Sequence, residues 1–114
     1  MRESAQSPAP DFVWETLVDP HGRKDRDWLA LVEDDTEPQV IESDRPHLVV
    51  WSSLWADRPR DQIRFVITGD GRLGSRLKWL IETEDKPPNV AAITRMRHRI
   101  NYLINCEMRY SFGE

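Results

Sequence analysis

The chain has 114 residues, 39% hydrophobic and 32% charged, which suits one folded domain around one core. A formal charge of −4 and a pI near 5.4 give no general attraction to nucleic acid or to anionic membranes. A single cysteine, Cys106, excludes an internal disulfide and fits a reducing cytosol; with no apolar run of about 18 residues, the composition implies a soluble, cytoplasmic protein.

Residues 1–9 are polar and proline-bearing, and are expected to be a disordered leader ahead of one domain, 10–114. Pro10 suits a first helical turn, Asp11 and Glu15 suit the positive end of the helix dipole, and Val13, Trp14, Leu17 and Val18 share one side. Asp19-Pro20 and Gly22 end this short helix. Residues 21–27 are charged and expected to be exposed. Residues 28–32 form a brief apolar run, either a strand or one helical turn. Residues 33–38 read as an acidic loop, 39–43 as a short strand and 44–46 as a turn.

Three apolar runs follow, 47–55, 62–68 and 76–82. In the first, Leu48, Val50, Ser52 and Leu54 share one face and Val49, Trp51, Ser53 and Trp55 the other. Neither face is polar, so this strand is expected to be covered on both sides or to lie at a subunit contact. In the second, Ile63, Phe65 and Ile67 alternate inward. In the third, Leu77, Trp79 and Ile81 do the same. Asp70-Gly71 between them is a hairpin signal. Lys86-Pro87-Pro88 stops the last strand, and Asn89 can cap a long helix over 89–110. Val90, Ile93, Met96, Ile100, Leu103 and Ile104 form its apolar stripe. The fold class is therefore α+β: an antiparallel sheet gripping a long C-terminal helix, with a short helix near the N-terminus.

Chemistry-bearing motifs are sparse. His21, His47 and His98 are scattered with no metal-ligand spacing, so no metal or cofactor is expected. Cys106 has no histidine at catalytic spacing and is expected to be a buried structural thiol. Asp34/Asp35 and Glu82/Glu84 look like solvated charge. The glycines at 69, 71 and 74 match G-x-G-x-x-G, but a strand follows them where a dinucleotide site needs a helix. Arg95, Arg97, His98, Arg99 and Arg109 make the last helix basic, a solvated face neutralised by acidic loops or an anion patch. Five tryptophans, at 14, 28, 51, 55 and 79, either fill the core or wall a cavity.

The order of these elements resembles the START-related (SRPBCC) superfamily, which includes polyketide cyclase/dehydrase-like and birch-pollen-allergen-like proteins. Residues 10–20, ending Leu17-Val18-Asp19-Pro20, look like its first-helix segment. Residues 40–51 resemble its next strand–turn–strand, and 63–79 its late hairpin. The resemblance implies a helix-grip fold reduced by loss of the first strand, and a small hydrophobic or aromatic ligand held between sheet and helix. Trp51, Phe65, Trp79, Ile93, Arg97, Asn101 and Tyr102 would line that site, with Arg97 or Asn101 orienting the ligand. A bare sheet edge and the two apolar faces of 47–55 together point to a homodimer. A cyclase- or dehydratase-type enzyme and a non-catalytic interaction protein with a filled core are the alternatives. No convincing acid–base pair favours catalysis.

Overall fold

A computed structural model describes residues 2–22, 28–29, 31 and 35–112. Five strands form one antiparallel sheet: β1 (Arg2–Gln6), β2 (Val40–Asp44), β3 (Leu48–Ser52), β4 (Gln62–Gly69) and β5 (Ser75–Glu82), in the spatial order β1-β5-β4-β3-β2. Helix α1 (Pro10–Val18) connects towards β2, and the C-terminal helix runs from Val90 to Ser111. Of the readings on 21–38, those for 23–27, 30 and 32–34 lie outside the described residues. Trp28 and Leu29 are in neither strand nor helix, yet both are buried in the core.

The expected leader is a strand, and the fold is not short of its first one. β1 pairs with β5 from Arg2↔Trp79 to Gln6↔Ser75. Nothing in Arg2–Gln6 is strongly apolar, so hydrophobic alternation cannot reveal it. The alternation is carried by polar side chains instead: Ser4 and Gln6 face inward and are buried, while Glu3 and Ala5 face out. Gly74 permits the approach, because a Cβ there would come within 2.8 Å of the Gln6 carbonyl.

The hairpin forms as the alternation requires. Ile63, Phe65, Ile67, Leu77 and Trp79 are buried on the inner face. The loop runs over 70–74; Gly71 adopts φ +84° there, and the Asp70 carboxylate accepts from the Arg72 N–H at 2.8 Å. In β3, Val49 and Trp51 face the core. Val50, opposite them, is buried on the outer face between its cross-strand neighbours Glu42 and Arg64. Arg64 reaches both Glu42, at 3.8 Å, and Glu82, so its side chain roofs Val50. This is how a strand with two apolar faces is covered within one chain.

Two indoles finish the C-terminal end of α1. Pro20 has no N–H for the Thr16 carbonyl, and Trp28 Nε1 donates to it at 3.1 Å. Trp51 Nε1 donates to the next carbonyl, Leu17, at 2.9 Å. The same two rings stack, with centroids 5.9 Å apart, and Trp51 meets Phe65 edge-on at 4.8 Å. Most of the tryptophans are thus core: Trp28, Trp51 and Trp79 are buried, and Trp14 and Trp55 pack partly buried against them.

Asn89 caps the C-terminal helix as expected, its Oδ1 accepting from the Ala92 N–H at 2.8 Å. Met96, Ile100, Leu103, Ile104 and Met108 turn to the sheet, while Val90 is 81% exposed because the first turn overhangs. The helix is not uniform: Leu103–Met108 is a π-helical segment. Steps of four residues in an α-helix overshoot a full turn by about 40°, so a stripe at that spacing drifts off its target. The wider π turn takes up that drift, keeping Ile100, Ile104 and Met108 over the sheet. Cys106, expected to be buried, is exposed because this register turns it to solvent.

Candidate functional site

The inner surface is apolar except along one seam, where β1 meets the C-terminal helix. Asn101, Asn105 and Arg109 follow one another at four-residue steps on the flank of the apolar stripe. Ser4 Oγ donates to Asn105 Oδ1, and Asn105 Nδ2 donates to Asn101 Oδ1 at 2.6 Å. Ser4 Oγ in turn accepts from Gln6 Nε2 at 2.8 Å and from Arg109 Nη2 at 3.0 Å. Arg109 also reaches the Ala5 carbonyl. The seam is therefore one directed chain of hydrogen bonds ending on the Asn101 side-chain carbonyl. Among the described residues, Asp61 Oδ1 in the loop before β4 is buried without a hydrogen-bond partner, and so, on the inner face of the sheet, are the Gln6 Oε1 acceptor and the Trp79 Nε1 donor. Such atoms are costly in a core and common in a site that awaits a polar group.

The residues expected at the site divide into two sets. Trp51, Phe65 and Trp79 lie together on the inner face of the sheet, buried, with Ile93 half-buried on the helix. Asn101 stands at the end of the seam, hydrogen-bonded to Asn105. Arg97 and Tyr102 are exposed on the helix. Arg97 and Asn101 nevertheless come together with Thr94 and His98 around a shallow pocket of about 210 Å³. Tyr102 hydrogen-bonds Glu107, five residues on, and that carboxylate holds the phenol above its usual pKa.

A second pocket, of about 340 Å³, lies beside α1 and is lined by Phe12, Trp14, Trp28 and Asp19 among others. Sequence reasoning missed it, and it missed Ser4, Gln6 and Asn105. The Ser4-x-Gln6 alternation set against the Asn101-x₃-Asn105-x₃-Arg109 row was the available signal. Carboxylates taken for solvated charge also prove structural. Asp35 receives Arg99 Nη2 at 2.6 Å, tying the acidic loop to the helix. Glu82 pairs with Arg64. Asp61, which no sequence reading singled out, is 1% exposed and held by Arg58 at 2.6 Å. The histidines lie apart: His21 meets Glu37, His47 meets the Ile67 carbonyl, and His98 lines the 210 Å³ pocket. Among the described residues no helix is long and apolar enough to cross a membrane.

No protein-family model matches this chain, and no curated protein sequence matches it. Solved structures do. The crystal structure of CalU16 from Micromonospora echinospora superposes with a TM-score of 0.61 at 16% identity, over 89% of this chain and 68% of that one. The crystal structure of Ara h 8.0201 superposes with a TM-score of 0.62 at 12% identity, over 99% of this chain and 96% of that one. At such identities the likeness is one of fold.

Proposed function

The fold is of the START-related (SRPBCC), helix-grip type, and from it we propose that the protein binds a small hydrophobic or aromatic molecule between the sheet and the C-terminal helix. The observation that carries this reading is the buried polar seam, with Gln6 Oε1 and Trp79 Nε1 left without partners. A core that serves stability alone gains nothing from those atoms. A ligand with an apolar body, a hydroxyl that donates to Gln6 Oε1 and an oxygen that accepts from Trp79 Nε1 would satisfy them.

In this reading Trp51, Phe65, Trp79 and Ile93 contact the body of the ligand, and Asn101 and Arg97 orient its polar end at the mouth beside Tyr102. Met96 and Met108, on the sheet-facing side of the helix, have flexible thioether side chains that can re-pack around an occupant. A cytoplasmic site of action fits the single thiol. A thermal-shift screen of lipids and aromatic polyketides tests the proposal. A raised Tm that is lost in Gln6→Leu supports it; no stabilisation by any of them counts against it.

Self-association is a separate proposal. β2 ends the sheet and exposes Val40 and Ile41, 38% and 49% accessible, on an edge strand. Light scattering over a concentration series decides it, and a monomer throughout ends it.

A further inference from the structure

The pocket beside α1 differs chemically from the polar seam. Its described walls set three aromatic side chains, Phe12, Trp14 and Trp28, beside two carboxylates, Glu15 and Asp19, around about 340 Å³. No cationic side chain is among those described walls. Aromatic faces carry the negative side of a quadrupole and attract cations, and the carboxylates add to the same field.

The molecule already uses one of these faces in that way. The Arg45 guanidinium lies 5.0 Å from the Trp14 ring centroid while pairing with Asp11 at 2.8 Å and Glu15 at 2.7 Å. That contact occupies Glu15. Asp19 pairs with no cation among the described residues. Its carboxylate takes the room left by Gly22, where a Cβ would come within 2.4 Å of Oδ2. A metal ion would need several ligating groups, and no cluster of three such side chains exists among the described residues. The volume sits at the small end of ligand pockets.

We propose that this pocket binds a small organic cation of the alkylated-ammonium class. Its alkyl groups lie between Phe12 and Trp14, over the exposed edge of the buried Trp28, and its charge faces Asp19. The proposal does not depend on the ligand site between sheet and helix.

Choline and its uncharged isostere 3,3-dimethylbutanol test it on the full chain, by tryptophan fluorescence and calorimetry. Saturable choline binding is expected, about fivefold tighter than the isostere, since a cation–aromatic contact is worth about 1 kcal/mol. Asp19→Asn should weaken choline by a similar factor at an unchanged melting temperature and leave the isostere unaffected. Equal binding of the two compounds would make this a merely apolar pocket and overturn the proposal. So would the absence of saturable choline binding to the wild-type chain, a comparison that needs no variant to fold.

Discussion

Tyr102 and Glu107 show how one residue reads out the helix it sits on. They are five apart, a spacing that the π-helical segment brings to one side. The hydrogen bond to Glu107, followed by that carboxylate's charge, favours the neutral phenol and raises its pKa. A raised folded-state pKa stabilises the protonated form. That contribution is complete below the ordinary value of about 10 and is lost as pH climbs through the raised one. Tyrosinate absorbance should therefore show one phenol titrating late. Tyr102→Phe should remove that phase, and Glu107→Gln should bring it down; an unchanged titration in Glu107→Gln would refute the contact.

At the scale of elements, what was legible in the sequence follows from where the signal lies. The β4–β5 hairpin announces itself through apolar alternation on both sides of Asp70-Gly71. The last helix does so through its cap at Asn89 and its stripe. β1 was invisible because its inward side chains, Ser4 and Gln6, are polar. It is held by backbone pairing and the seam rather than by apolar burial. The π segment was invisible because no residue type encodes it; only the sheet below requires it. The burial of Trp51, Phe65 and Trp79 was legible from strand alternation, and Asn101 from its place on the last helix, whereas Ser4 and Gln6 were hidden with β1. Gly74 is the weak point of that arrangement. Gly74→Ala would drive a Cβ to 2.8 Å from the Gln6 carbonyl and 2.6 Å from the Asp70 carboxylate. It should cost about 1–3 kcal/mol and open β1 first. Hydrogen exchange should quicken across the β1–β5 pairing while β3–β4 stays protected. Uniform loosening of the sheet would contradict that order.

Over the whole molecule, a buried polar seam and an open pocket lie on one scaffold. The seam between β1 and the C-terminal helix is a chain of side-chain hydrogen bonds from Gln6 and Arg109 through Ser4 to Asn101. The pocket beside α1 is open, aromatic and acidic. They are built from different parts of the fold but share neighbours: Ser111 of the C-terminal helix lines the pocket, and its Trp28 stacks on Trp51. If both proposed occupants bind, the Trp28–Trp51 contact should make their effects on the melting temperature depart from a simple sum, which a thermal-shift titration of each alone and both together checks.

The stacked pair Trp28 and Trp51 has a spectroscopic consequence. Two indoles at 5.9 Å and 25° are close enough for their electronic transitions to couple. The folded protein should carry a split circular-dichroism band of opposite-signed lobes, absent from Trp28→Phe and from the unfolded chain. Because one ring belongs to the segment after α1 and the other to β3, that couplet is a built-in optical ruler for their docking, readable without any label.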